Sequence, residues 1–209
     1  MKRLFTIFIL CGLLSFSASA ITEQQKKDVI AKINQTSASI ETMAADFTQT
    51  KNLSLLNDKM VSEGKIYYKR PDKLRWEYIS PYDYLFIFNG TKVYVGNKSR
   101  KDVIDTSSNK IFKEVARIMM STVTGTALSN TTDFTITVDD SGNLWKVTLV
   151  PKKKELRNMF SKVVLSFNKA NYQVSEIDIF EKNNDRTNIK FRNLKVNKQV
   201  DASLFNIPK

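Results

Sequence analysis

The sequence predicts a mostly β fold with α-helices: a curled antiparallel sheet forming an incomplete (half) β-barrel covered by a helical lid. Three observations predict it. About ten short segments alternate apolar and polar residues with period two, and the short connections between them favour antiparallel neighbours. Only two stretches, around residues 22–40 and 109–128, carry apolar residues at helical spacing. A single sheet this wide must curl, because strand twist accumulates. Its concave face then has only those two helical stretches to cover it.

Taken in order, the first 20 residues stand apart. Met1 to Arg3 is basic, Leu4 to Phe16 is mostly apolar, and Ala18-Ser19-Ala20 has the small-x-small form of a cleavage site. That is the pattern of a secretory signal peptide, so 1–20 is read as a leader and 21–209 as a single domain. Cys11 lies inside the apolar run behind the bulky Leu10, which argues against a lipid anchor. Removing the leader takes two of the 33 cationic side chains and none of the 21 acids, leaving a net of +10. It also takes the only cysteine. The core must therefore hold without disulfides. The expected location is the periplasm of a two-membrane bacterium.

Thr22-Glu23-Gln24-Gln25 reads as a capping box, followed by Val29, Ile30 and Ile33 on one helical face, with Ile40 extending the stripe. From Met43 the period becomes two. Met43, Ala45 and Phe47 share one face of a strand. Residues 52–60 are expected to form a connecting hairpin. In Gly64–Lys69, Ile66 and Tyr68 oppose Lys65, Tyr67 and Lys69. Arg70-Pro71-Asp72 breaks the ladder, since proline has no donor and restricts its predecessor. Leu74, Trp76 and Tyr78 then alternate with Lys73, Arg75 and Glu77, and Ser80-Pro81 turns the chain. Tyr84–Phe88 is apolar on both faces, as expected of a strand covered on both sides. Either Leu85 and Ile87 or Phe86 and Phe88 face inward; the second pair is preferred. Asn89-Gly90 is a strong hairpin signal, and Lys92–Val95 pairs back.

Ile111, Phe112, Val115, Ile118 and Met119 recur at helical spacing. Strands resume at Phe134–Val138, turn at 139–143, and continue with Trp145–Val150, Val163–Phe167, Val174–Phe180 and Ile189–Leu194. The Lys152-Lys153-Lys154 run reads as a solvated turn.

The inventory excludes several chemistries. There is no histidine, and no cysteine beyond the leader. The usual zinc sites, Ser-His-Asp and Cys-His nucleophiles and redox thiols are therefore ruled out. No phosphate-binding glycine loop is present. No metal or other cofactor is called for, and no enzyme activity is expected. An enzyme acting on lipid or cell wall through Asp or Glu is the weakest of the readings left open. Basic residues interleaved with aromatics suit single-stranded nucleic acid, but here they are dispersed behind a leader, so no nucleic-acid partner is expected. An anionic membrane surface fits the charge better.

The order of motifs adds a resemblance. Met43-Ala44-Ala45-Asp46-Phe47-Thr48-Gln49 is followed by Glu63-Gly64-Lys65-Ile66-Tyr67-Tyr68-Lys69-Arg70-Pro71 and Leu74-Arg75-Trp76. Pro81 and Asn89-Gly90-Thr91-Lys92-Val93-Tyr94-Val95 come next. Ile189-Lys190-Phe191-Arg192-Asn193 and Phe205-Asn206-Ile207-Pro208 close the chain. This combination resembles the LolA-like superfamily of periplasmic lipoprotein carriers over essentially the whole chain beyond the leader. The resemblance implies an eleven-strand half-barrel with an apolar concave face closed by helices. It implies cargo of acylated lipoproteins, held by the lipid moiety. The lipoprotein would come from an inner-membrane ABC exporter and be delivered to an outer-membrane acceptor or membrane surface. It further implies that Arg70 latches the lid to the barrel by hydrogen bonds. The protein is expected to act as a monomer. Relatives that carry a glycolipid or a polyketide-like lipid, or that sense lipid or stress, share these motifs and form the alternative. The chain stops at Lys209, where many members continue, and it is more basic than the family leads one to expect.

On this reading the lipid cavity is lined by Met43, Phe47, Ile66, Tyr68, Leu74, Trp76, Tyr78, Phe86, Phe88, Val93 and Val95. The lid presents Ile111, Phe112, Val115, Ile118 and Met119. Plain core packing is the competing account of every aromatic in the set.

Overall fold

The computed structural model describes residues 21–97, 99–108, 110–129 and 132–208, without the side chains of 110–112, 114 and 115. The leader at 1–20 lies outside the described residues.

Helix α1 spans Glu23–Ala38 and starts on the capping box: Thr22 Oγ1 accepts from the Gln25 N–H, and Gln25 Oε1 accepts from the Thr22 N–H. Ser39 ends the helix, so Ile40 lies beyond it, buried but not on its stripe. Strands β1 (Thr42–Leu53), β2 (Asp58–Lys69), β3 (Lys73–Ser80), β4 (Tyr84–Asn89), β5 (Lys92–Gly96) and β6 (Lys101–Asp105) form one antiparallel meander. The chain then passes through α2 (Lys110–Thr124) and a 3-10 turn (Thr126–Ser129). A second meander follows: β7 (Phe134–Ser141), β8 (Leu144–Pro151), helix α3 (Lys154–Met159), β9 (Phe160–Asn168), β10 (Val174–Glu181) and β11 (Arg186–Val196). A short 3-10 turn, Ala202–Phe205, comes last.

The sheet has eleven strands in the order β6-β5-β4-β3-β2-β1-β11-β10-β9-β8-β7. It is an open, curled half-barrel. Two features go beyond the ten alternating segments, and the count of eleven agrees with the resemblance. β6 is an additional edge strand paired with β5, and the two meanders join at the centre, where β1 pairs antiparallel with β11 from Met43↔Val196 to Asn52↔Arg186. β6 and β7 therefore lie at opposite edges of the sheet. The connection between them crosses the concave face, which makes α2 a roof touching both β5 and β10.

Other boundaries also move. The first hairpin is tighter than 52–60, because β1 and β2 pair as far as Leu53↔Asp58. The 139–143 turn shrinks to Gly142-Asn143, since β7 and β8 pair as far as Ser141↔Leu144. The Lys152–Lys154 run is exposed, but Lys154 opens α3, and Lys153 pairs with the buried Asp133 at 2.6 Å.

Gly64 is required by close approach: a Cβ there would overlap the Glu77 carbonyl oxygen and the Phe47 ring. Gly90, with φ of +91°, makes the β4–β5 turn, a conformation that glycine adopts without a Cβ clash.

Both faces of β4 are covered, for different reasons. Trp76 pairs with Phe86 and Leu74 with Phe88, so these share the concave face. Ile87 points to the convex face, where Tyr94 and Phe205 are also buried and the last 3-10 turn packs on β3 and β4. Arg75 Nη1 donates to the Leu204 carbonyl at 3.2 Å and fixes that turn.

Candidate functional site

The concave face is continuous apolar core from Met43 on β1 to Phe134 on β7. A cavity of about 220 Å³ remains beneath α2. It sits toward the end of the sheet that carries the β1–β2 and β3–β4 turns. β1 and β3 give it Gln49, Trp76 and Tyr78, and α2 supplies Ile118, Met119 and Thr122. The second meander provides most of its apolar wall, including Leu149, Phe160, Val163, Ile177, Ile179 and Ile189.

This changes the expected lining. Of the eleven proposed cavity residues, Trp76 and Tyr78 border the void. Met43, Phe47, Ile66, Tyr68, Leu74, Phe88 and Val93 are buried and border no part of it. Phe86 and Val95 are half-buried against the same core, also away from the void. The reason is packing. Aromatic rings fill the first meander's concavity, with Phe47 centred 5.0 Å from Trp76 and 5.3 Å from Tyr78. The smaller aliphatic side chains of β8, β9, β10 and β11 leave the gap. Sequence alternation identified these as strand residues without marking them as cavity wall.

Ile118 and Met119 lie half-buried on the roof and border the cavity. Ile111, Phe112 and Val115 fall among the side chains outside the described set.

Among the described residues, the side-chain hydrogen bonds of Arg70 go to the end of α1 and the turn after it. Its Nε donates to the Ile40 carbonyl (3.1 Å), and Nη2 donates to the carbonyls of Ala38 (2.6 Å) and Ser37 (3.4 Å). Ser37 and Ala38 close α1, where carbonyls run short of helical partners, and Ile40 lies two residues beyond; Ser37 also accepts from the Ile40 N–H. A cation at this end suits the helix dipole. Asn197 adds a second tie by donating to the Ser39 carbonyl at 2.9 Å. α1 in turn packs on the 3-10 turn after α2, where Ser129 Oγ donates to Asn34 Oδ1 at 3.1 Å. α2 has its own anchor: Arg117 Nη2 donates to Asp133 Oδ2 at 3.2 Å, and Lys153 holds the other oxygen. Asp133 is almost fully buried. Nothing in the one-dimensional pattern signals that pair, because Asp133 lies just before β7 with no motif around it.

Replacing Arg70 with leucine removes the side-chain donors to the Ser37, Ala38 and Ile40 carbonyls, of which Ser37 keeps the Ile40 N–H. The expected result is a loss of about 1–3 kcal/mol and faster amide exchange in α1, with the sheet protected. Hydrogen exchange checks this; unchanged α1 protection counts against a latch.

Two tyrosines in this core hold their protons tightly. Burial pushes the Tyr68 and Tyr78 phenols above the usual value of 10.0. Tyr78 also donates to Gln49 Oε1 at 2.9 Å. The Trp76 indole N–H lies near the Tyr78 oxygen without reaching hydrogen-bond geometry. The folded state binds these phenolic protons more strongly than the unfolded chain. The stability this contributes is complete below pH 10 and falls as pH rises through the folded values. Denaturant titrations above pH 10 should show that decline, and Tyr78→Phe should make it shallower.

A half-barrel with an apolar concave face, roofed by a helix over a cavity, is an architecture able to enclose an apolar guest. The family follows from comparison. The model of the family "Outer membrane lipoprotein carrier protein LolA" matches residues 38–208, and the chain belongs to that family. It is similar to the outer-membrane lipoprotein carrier protein of Coxiella burnetii (strain CbuK_Q154), with 27% identity over 205 residues, covering 96% of this chain and 93% of that one. It is also similar to that of Legionella pneumophila (strain Lens), with 26% identity over 208 residues, covering 98% and 94%. Among solved structures, an uncharacterized conserved protein of Thermus thermophilus shares the fold at a TM-score of 0.55. Its identity is 10%, and the match covers 88% of this chain and 94% of that one.

Proposed function

We propose that this protein is a periplasmic carrier that shields the acyl chains of lipoproteins. It ferries them from an inner-membrane exporter to the outer membrane. The apolar cavity beneath α2 is the observation that carries this reading, and the names of the family and of its relatives support it.

Each methylene moved out of water is worth about 0.8 kcal/mol. Two or three acyl chains thus carry a desolvation term of tens of kcal/mol and do not cross water unshielded at a useful rate. A void of about 220 Å³ is too small for such a guest in the closed state. The roof must therefore move. Ile118 and Met119 withdraw from the sheet, and acyl chains take over their contacts with Ile177, Ile179 and Ile189. Methionine is unbranched and adaptable, so Met119 and Met120 tolerate varied chains. Arg70 and Arg117 set how readily α1 and α2 lift. No bond is made or broken in the cargo.

The test is co-expression with an acylated lipoprotein or with the same protein whose acylated cysteine is serine. The expected result is a soluble one-to-one complex with the acylated form alone. Equal recovery of both forms, no complex, or recovery of a glycolipid in place of lipoprotein overturns the proposal.

A further inference from the structure

The carrier's encounter with membranes has a physical signature at one end of the molecule. We propose that the cavity end of the half-barrel is a docking surface for an anionic lipid bilayer, with the β1–β2 hairpin as its inserting tip. This rests on the carrier reading above.

The hairpin tip carries Leu55 and Leu56, which are 90% and 70% exposed. Met60 and Val61, just below on β2, are exposed as well. Such side chains contribute nothing to this fold's core. Strand β3 lies beside β2 in the sheet, and at the same end the β3–β4 hairpin exposes Ile79, Tyr82 and Tyr84. Strand direction fixes the polarity. β1 ascends to Leu53 and β3 to Ser80, so both turns project from the end that holds the cavity. Across the mouth, the β8–β9 connection exposes Met159 of α3 at this end. Among the described residues, Val103 on the edge strand β6 is the one exposed large hydrophobic that lies on neither these two hairpins nor the β8–β9 side.

The patch is continuous with the cavity. The rings of Tyr82 and Tyr84 each lie 6.4 Å from that of Tyr78, which borders the void. A guest's tails leaving the cavity by this end meet an apolar rim before they meet water.

Charge selects the occupant. The rim segment 152–157 on the far side holds Lys152, Lys153, Lys154 and Arg157 against one acid, Glu155. All four cations are exposed; Lys153 also pairs with Asp133, and Arg157 donates to the Lys152 carbonyl. On the hairpin the exposed Lys59 stands beside the exposed Asp58, so the excess of cations at this end lies on 152–157. Exposed leucines and tyrosines beside cations match the layered chemistry of a bilayer surface, where aromatics sit at the headgroup level and lysines meet anionic lipid. The formal charge of +10 on residues 21–209 draws the carrier to such a surface from a distance, over a range that salt shortens.

The experiment is flotation of the chain lacking residues 1–20 with vesicles. One set is phosphatidylethanolamine with phosphatidylglycerol; the other is phosphatidylcholine alone. A fluorescent single-chain acyl probe, titrated in solution without vesicles, reports the cavity separately. Binding to the anionic vesicles is expected to exceed binding to the neutral ones and to weaken with salt. Leu55→Asp/Leu56→Asp should lower anionic-vesicle binding about tenfold or more, since inserted apolar area sets the affinity of such anchors. Lys59→Glu/Lys154→Glu should reduce it and flatten the salt dependence. Probe affinity should stay unchanged in both variants, whose positions border no part of the cavity. Vesicle binding that is absent in the parent chain, or unaltered in the leucine variant, overturns the docking surface. A loss of probe affinity equal to the loss of vesicle binding also overturns it. A parent chain that docks on vesicles but binds no probe instead counts against the carrier reading.

Discussion

Ile179→Asp is expected to lower affinity for a single-chain acyl probe about a hundredfold or more while the sheet stays folded. Ile179 stands on β10, half-buried, at the wall of the cavity opposite α2. In the empty protein a carboxylate there keeps some contact with water. An acyl chain laid against it strips that water away, and an unpaired carboxylate pays several kcal/mol for that. Each 1.4 kcal/mol is a factor of ten in affinity, so a penalty near 3 kcal/mol reaches the stated size. Fluorescence titration reads the affinity, and far-ultraviolet circular dichroism checks the fold. Full affinity in this variant places the guest elsewhere.

Phe47→Ala is the largest expected effect on stability, about 3–5 kcal/mol. Phe47 has no exposed surface and packs against the rings of Trp76 and Tyr78. Its ring also lies where a Cβ of Gly64 would fall, so the strand pair has been fitted around it. Truncation empties the centre of the first meander, and no neighbouring side chain on a pleated strand can swing in to fill it. Urea unfolding measures the loss. A change under about 1 kcal/mol would mean that the site collapses freely or that this stack is not core.

These two residues show what was legible in the sequence. Alternation placed Phe47, Ile66, Leu74, Trp76 and Phe88 on one face of consecutive strands, and the structure finds them there. A period-two pattern says which residues share a face. It does not say whether their neighbours fill the space before them. So the list from 43 to 95 mixed packed core with cavity wall, and the aliphatic wall at Leu149, Val163, Ile177 and Ile189 carried no mark. β6 escaped because it is a short edge strand with a charge near each end, Lys101-Asp102-Val103-Ile104-Asp105, a common protection against edge pairing. α3 escaped because one buried residue, Leu156, is too little for a periodic signal.

The central pairing of β1 with β11 was beyond local reading. Its partners are separated by more than a hundred residues, and neither strand differs from its neighbours in pattern. That pairing determines the function-bearing geometry, since it sends the α2 connection across the concave face. The role of Arg70 shows the same limit. Its place before Pro71 was evident, but its target, the carbonyl end of α1, depends on the fold. The Arg117–Asp133 pair that anchors the roof had no signature at all.

The account centres on a roof that gives way to hydrocarbon, and Met119 is the residue to watch. The chain lacking residues 1–20 holds no cysteine, so Met119→Cys supplies a single thiol on the cavity side of α2. Its rate of maleimide labelling should be slow in the empty protein. Loading with an acylated lipoprotein at one-to-one stoichiometry should raise that rate several-fold or more as α2 leaves the sheet. A labelling rate that does not change on loading would contradict the exchange of α2 for acyl chains.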